Sequence, residues 1–214
     1  MAISSIESTP FSSTHESLPE IYNFSWVTPE TFDAERISFD TATIKGTKRN
    51  RVMYRYDEKA AKELHLTISL NPEGYLSVSK PKMNTYKEKE TGTYTVNFDL
   101  LSSNKHHKAL YNVMEQIGDK AKEKFGVDSS LPLIALDKDL GAKIFAKLVG
   151  GADGKIYTSI YSKDEQLDIM NLHGFIGRPA LALSVSPTTG KIAIQLYQAY
   201  VEKEIKNFPL AYRE

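Results

Sequence analysis

The stretch from residue 181 to residue 196 reads LALSVSPTTGKIAIQL. Aliphatic residues alternate with small or polar ones over residues 181–185 and again over residues 192–196, which is the period of a strand with one buried face. Residues 187–190 (PTTG) between them are typical of a turn. The pattern predicts an antiparallel hairpin. Gly174 and Gly177 precede it, where a strand can bend sharply.

Shorter stretches upstream also predict strands. Leu64, Leu66, Ile68 and Leu70 alternate with polar residues, and residues 71–74 (NPEG) follow as a strong turn signal. The remaining predicted strands cover residues 37–44, 52–56, 75–79, 93–98 and 156–161. Most connections are too short for parallel crossovers, which favours antiparallel pairing.

One long helix follows the first group of strands. Ser102, Ser103 and Asn104 offer capping side chains, and apolar residues then recur at helical spacing from Leu110 until Gly126 ends the pattern. The opposite face carries four lysines: Lys105, Lys108, Lys120 and Lys122. A second, shorter helix is predicted over residues 139–149, from the spacing of Leu140, Ile144, Phe145 and Leu148.

This order predicts an α+β fold. We expect a mainly antiparallel curled sheet, an OB-like partly open barrel, with one long amphipathic helix and a C-terminal hairpin. A helix packed on an open sheet is the rival arrangement. Residues 1–34 are predicted to form an acidic arm that contains serine and proline, and residues 35–214 a single domain.

Composition excludes several classes of protein. The 214 residues contain no cysteine, which rules out disulfide frameworks, thiolate metal sites and a cysteine nucleophile. The first residues, MAISSIESTPFSS, do not resemble a secretory signal, and no apolar run reaches the roughly 20 residues that span a bilayer. We therefore expect a cytoplasmic protein, or one of a host-cell interior, that is neither secreted nor bound to a membrane.

The net charge of zero hides an asymmetry. Residues 1–40 hold seven acidic side chains and one basic side chain, which leaves 26 basic and 20 acidic side chains in residues 41–214. An acidic leader before a basic body is compatible with a polyanion-binding body, and equally with an ordinary solvated surface.

Catalytic and metal-binding motifs are not recognisable. Residues 149–156 (VGGADGKI) lack the first glycine and the hydroxyl residue of a phosphate-binding loop. His106 and His107 are adjacent, so they diverge on a helix, and their place at its start favours a solvated role. Asp137 and Asp139 are interpreted as capping residues. We predict neither an enzyme nor a cofactor nor a metal site.

Basic residues lie among tyrosines in two stretches of the chain. Binding of a single nucleic-acid strand without sequence preference needs cations that follow the phosphates and flat rings that stack on the bases. The candidate nucleic-acid-binding residues are Lys45, Lys48, Arg49, Arg51, Tyr54, Arg55, Tyr56, Lys80, Lys82, Tyr86 and Lys87. Each of these tyrosines alone is equally compatible with a place in the core, since strands favour tyrosine.

Residues 75–83 (YLSVSKPKM), the strand over residues 93–100, the helix after it and the closing pattern of residues 177–201 together resemble the single-stranded-DNA-binding proteins of large nucleocytoplasmic DNA viruses. The resemblance covers residues 35–201. It implies an OB-like core, a role in replication or recombination, and no catalysis. It assigns no individual site residue.

A structural or assembly role, as a virion or scaffold component, is the alternative function. Tyr22, Phe24 and Trp26 alternate in the N-terminal arm and could add a strand to a neighbour. This predicts a homo-oligomer formed through residues 20–34. The leading prediction names single-stranded nucleic acid as the partner.

Overall fold

The structure, a computed structural model, describes residues 26–44, 47–57, 63–70, 74–135, 141–151, 154–163 and 165–206. These residues form thirteen strands, one α-helix and two 3-10 helices. The strands are β1 (Ile37–Ile44), β2 (Thr47–Tyr54), β3 (Leu64–His65), β4 (Thr67–Ser69), β5 (Leu76–Ser79), β6 (Lys82–Tyr86), β7 (Lys89–Leu100), β8 (Leu133–Ala135), β9 (Ala142–Leu148), β10 (Ser159–Ser162), β11 (Glu165–Leu167), β12 (Gly174–Val185) and β13 (Ile192–Glu204). The helix α1 covers Lys105–Phe125, and the 3-10 helices cover Ala34–Arg36 and Ile169–Asn171.

Five strands close into a ring. β12 pairs with β5, β5 with β7, β7 with β9, β9 with β13, and β13 with β12 again. All these pairs are antiparallel except β9 with β13, which is parallel. The predicted α+β fold with an OB-like barrel is therefore confirmed, and the predicted closing hairpin is β12 with β13.

The other strands extend this ring. β2 and β4 pair with β12 beyond its contact with β5, and β1 pairs with β2 over its whole length. β6 forms a hairpin with β7, β8 lies beside the first half of β9, and β10 and β11 continue from β13.

The interior of the ring is apolar. Alternate residues of β5, β7, β9 and β13 are buried, and β12 is buried at consecutive positions; the buried residues include Val78, Phe98, Ile144 and Leu181. Helix α1 packs a stripe on the same core, formed by Leu110, Val113, Met114, Ile117 and Ala121. Asn104 caps the helix by accepting from the backbone N–H groups of the next turn, and Gly126 ends it in the left-handed conformation, as predicted.

The predicted second helix is wrong. Residues 142–148 form strand β9, and residues 136–140, which include Asp137 and Asp139, lie outside the described residues. Ala142, Ile144, Ala146 and Leu148 are all buried, which is the period of a strand. Pairing with β7 on one side and with β8 and β13 on the other fixes this segment as a strand.

The two helix histidines are buried, so the predicted solvated role is wrong. His107 donates from Nε2 to the Tyr75 carbonyl at 2.8 Å and accepts at Nδ1 from the Leu101 N–H at 3.0 Å. His106 Nδ1 lies 2.6 Å from a carboxylate oxygen of Glu30. Burial lowers the pKa of His107, which favours the neutral ring that this pair of bonds requires.

Part of the predicted N-terminal arm lies against the body. Val27 is buried and bridges Ile68 of β4, and Glu30 reaches His106 at the start of the helix. Residues 1–25 lie outside the described residues, so oligomerisation through residues 20–34 stays a prediction. No helix in the described part of the chain is both long enough and apolar enough to cross a membrane.

We predict that Gly177→Ala destabilises the ring. A Cβ at this position would lie 2.1 Å from the Tyr200 carbonyl oxygen, where the register of β12 and β13 shifts. Overpacking of this kind costs about 1–3 kcal/mol. Urea unfolding measures the loss. Gly150→Ala is the control, since its Cβ would lie 3.6 Å from the Lys155 carbonyl oxygen, an ordinary van der Waals contact. Equal stability of the two variants would contradict the prediction.

Candidate nucleic-acid interface

The outer surface of β7 and β9 carries polar, basic and aromatic side chains. Thr95 lies opposite Lys147, and Asn97 lies opposite Phe145, so these four residues share one face. Val96 and the other residues that alternate with these four along β7 and β9 are buried. The face that carries the four residues therefore points away from the core. Directly opposite side chains lie about 5 Å apart, so the four form one continuous surface.

Cations from separate elements meet on this surface. Two adjoining depressions, of about 230 Å³ and 550 Å³, share Arg49, Lys147 and Ala193 in their walls. The smaller depression also contains Lys155, and the larger one also contains Lys191. No aspartate or glutamate lines either depression among the described residues. The described residues in the walls of both depressions therefore carry only positive charge, although the chain is neutral overall.

Strand register adds two more cations. Lys82 of β6 lies opposite Thr95, on the side away from Lys147, and Arg51 lies opposite Ser184 of β12. Asp40 of β1 faces Arg51 from the other side. We call the set Arg49, Arg51, Lys82, Lys147, Lys155 and Lys191 the basic face.

Phe145 is the aromatic ring within this surface. It is half-buried and lines the larger depression together with Thr95 and Lys147. A half-buried ring held on a strand keeps a fixed orientation, because the sheet and its cross-strand neighbours restrict its rotamers.

A second group of aromatics continues along β13. Tyr197 and His65 meet across β12, where the Tyr197 hydroxyl lies 3.1 Å from His65 Nδ1 and His65 Nε2 donates to the Leu183 carbonyl at 3.1 Å. Since Nε2 donates, Nδ1 accepts from the tyrosine hydroxyl. Further along, the Arg178 guanidinium lies 5.1 Å from the centre of the Tyr200 ring.

Three of the predicted basic residues, Lys48, Arg49 and Arg51, fall on strand β2. Arg49 and Arg51 belong to the basic face, and both lie within the strand, whereas the strand predicted from the sequence begins only at residue 52. For Lys48 the structure describes the backbone in β2, and Lys45 lies outside the described residues.

Tyr54 and Tyr56 lie in or against the core. Tyr54 is 3% exposed, stacks on Phe32 and accepts at its hydroxyl from the Asp33 N–H. The Tyr56 hydroxyl accepts from the Thr67 N–H at 2.8 Å and donates to the His65 carbonyl at 3.2 Å. Burial, the largest effect, raises the pKa of Tyr56 to about 12. Tyr54 therefore presents no free face for a base, and Tyr56 packs against the core.

The other predicted residues are exposed but do not line the two depressions. Arg55 forms an ion pair with Glu63 at 3.2 Å. Lys80 is exposed after β5, and Lys82 begins β6. Tyr86 is 68% exposed at the tip of the β6–β7 hairpin, with Lys87 Nζ 5.5 Å from its ring centre. The structure thus brings together Arg49, Arg51 and Lys82 from the predicted set.

Four residues of this surface were not predicted from the sequence: Phe145, Lys147, Lys155 and Lys191. The sequence does contain the period of a strand with one outward face here, because Lys143, Phe145 and Lys147 alternate with the apolar residues that are buried in β9. A helical interpretation of residues 139–149 scattered these side chains over different faces. Lys191 follows the turn of the closing hairpin, and only the fold shows that it comes near Arg49.

Metal coordination finds no support in the described part of the chain, where no three His, Asp or Glu side chains are grouped so as to hold an ion.

No family model and no curated protein matches the chain. Among solved structures, the single-stranded DNA-binding protein from bacteriophage Enc34 is similar, with a TM-score of 0.47, 15% identity, and coverage of 82% of this chain and 96% of that one. The same phage protein in complex with ssDNA has a TM-score of 0.47 and 15% identity over 72% of this chain and 100% of that one. These are phage proteins, and they do not support the narrower resemblance to proteins of large nucleocytoplasmic DNA viruses.

We predict that Tyr56→Phe lowers the free energy of unfolding by about 1–3 kcal/mol, because the buried Thr67 N–H loses its acceptor. Binding of oligo-dT should stay unchanged, since the ring faces the core. Urea unfolding and fluorescence titration measure the two effects. Tyr86→Phe, at an exposed position, is the control and should leave stability unchanged. A Tyr56→Phe variant of full stability with weakened binding would show that Tyr56 acts at the surface.

Proposed function

We propose that the protein binds single-stranded nucleic acid, with DNA as the substrate, without sequence preference and in a replication or recombination role. The observation that carries the proposal is the basic face beside Phe145, where cations from separate elements meet and where no described residue in the walls of the two depressions is a carboxylate.

The chemistry of this surface fits a polyanion. Arginine and lysine are donors only, so the surface offers positive charge and hydrogen bonds to phosphate oxygens. Each neutralised phosphate releases counterions, which makes the affinity depend on salt. Thr95 and Gln195 lie between the cations and add neutral polar groups that reach sugar or base.

Phe145 favours a single strand over a duplex. Stacking on an aromatic ring requires an unstacked base, which a duplex does not offer, and every base has a π-face, so the contact is independent of sequence. Phe145 lies on β9, the third strand of the five-stranded ring in chain order, beside β7, the second strand. OB-folds bind oligonucleotides on the face of these two strands and on the adjoining loops.

Fold alone does not assign a function. The Enc34 proteins are named for single-stranded DNA binding, but at a TM-score of 0.47 and 15% identity they carry no weight in this proposal. The proposal rests on the side chains of this chain.

We predict that Arg49→Gln with Lys147→Gln weakens oligo-dT binding and lowers its salt dependence. Each lost phosphate contact reduces the slope of log K against log salt by about 0.7, so the double variant should lose about 1.4. Fluorescence anisotropy across a salt series measures the slope. Both side chains lie at the surface, so unfolding should change little.

The matched control for this pair is Lys105→Gln with Lys124→Gln, which removes two exposed cations from helix α1. The net charge changes equally in both double variants. An equal fall of the slope in the two would mean that total charge, and not the basic face, controls binding.

We predict that Phe145→Leu weakens oligo-dT binding by about 1–3 kcal/mol while leaving the salt slope unchanged, because it removes a stacking ring and no charge. Phe39→Leu is the control, since Phe39 is a half-buried ring of β1 that packs edge-on against Phe125. Unchanged affinity in Phe145→Leu would exclude base stacking at this position.

A further inference from the structure

The smaller depression of the basic face is a pocket whose lining residues differ from those of the larger depression. Four glycines line it: Gly92 of β7, and Gly150, Gly151 and Gly154, which follow β9. Because glycine has no side chain, the backbone itself forms this part of the wall and a ligand can approach it closely. The pocket has a volume of about 230 Å³.

The backbone around these glycines is held in place. The Gly151 N–H donates to the Lys155 carbonyl at 2.9 Å, and the Tyr157 N–H donates to the Val149 carbonyl at 2.8 Å. Gly150 also bridges Ile156 in antiparallel fashion. These bonds hold the described residues of the wall beside Lys155 in place, which lowers the cost of ordering them around a ligand.

The polar groups of the pocket call for an anion. Arg49, Lys147 and Lys155 carry positive charge, and no carboxylate is among the lining residues that the structure describes. Thr93 and Ser184 contribute hydroxyl groups that donate or accept. A ligand with several acceptor oxygens and negative charge matches this set, and phosphate is the group that offers both.

The remaining wall suits a flat ring. Tyr94, Leu148 and Ile156 supply apolar surface, and the Gln195 amide offers both a donor and an acceptor beside it. An inorganic phosphate would leave this apolar surface unused. The combination of a phosphate-binding part and a ring-binding part matches a nucleotide.

We propose that this pocket binds one nucleotide unit, phosphate and base together, and accepts a free nucleoside 5′-monophosphate as well as one unit of a longer strand. The inference deepens the proposed function and rests on it for the longer strand. The larger depression shares Arg49 and Lys147 with the pocket, so a strand bound there is in position to place one unit in the pocket. That unit leaves the stack, and the strand acquires a fixed register.

Titration of the ¹⁵N-labelled full chain with thymidine monophosphate, thymidine and inorganic phosphate tests the proposal. We expect saturable amide shifts at Gly150, Gly151 and Gly154 with the monophosphate, and binding about tenfold weaker with either part alone. Lys155→Gln should weaken monophosphate binding about tenfold, the effect of one charge-assisted hydrogen bond. Lys203→Gln, at an exposed position of β13, is the control and should have no effect.

The outcomes separate this inference from the proposed function. Binding of oligo-dT without monophosphate shifts at the three glycines overturns the pocket and leaves the function standing. Monophosphate shifts without oligo-dT binding overturn the function and leave a nucleotide pocket. Equal binding of inorganic phosphate and the monophosphate overturns the role of the base. Absence of both kinds of binding overturns both proposals.

Discussion

The pairing of β12 with β13 is the constraint on which the rest of the structure depends. β12 also pairs with β2, β4 and β5, while β13 also pairs with β9 and β10. Two register shifts, one of them at Gly177, let the long hairpin bend enough for β9 to reach β13 in parallel. Removal of this hairpin would leave the other strands as separate ribbons without a shared core.

The same closure positions the basic face. Arg49 comes from a strand attached to β12, Lys191 from the turn between β12 and β13, and Lys147 from β9. These residues are far apart in the chain, and only the ring brings them together. The sheet therefore brings the residues of the basic face together, since no single stretch of the sequence contains all of them. The net charge of zero is a sum over the whole chain, so it does not show this local excess of positive charge.

Much of the fold could be predicted from the sequence, and much of the site could not. Strict alternation identified the closing hairpin and β7, and capping residues identified the bounds of α1. The prediction for residues 142–148 was wrong because a short apolar run fits both the helical period and the strand period. Pairing with neighbouring strands decides between the two. Tyr54 and Tyr56 show that the role of a single residue is hard to predict from the sequence, because burial of a tyrosine on a strand depends on which face of the strand meets the core. Arg49 was predicted because a cluster of basic residues is visible within a short stretch of sequence. The cations that the fold brings beside it from distant parts of the chain were missed, because the sequence does not show which distant residues lie close together.

Parallel pairing of β9 with β13 has a consequence for synthesis of the protein. The pair joins Ala146 to Ile194, and the β12–β5 pair joins Gly174 to Ser79, so the contacts that close the ring span long stretches of chain. On the ribosome, β5, β7 and β9 emerge well before β13. Until β13 has been made, the nascent chain presents unpaired strand edges and an open apolar interior, a state in which aggregation competes with folding. The ring therefore cannot close until β13 has been made, after all the other strands of the ring.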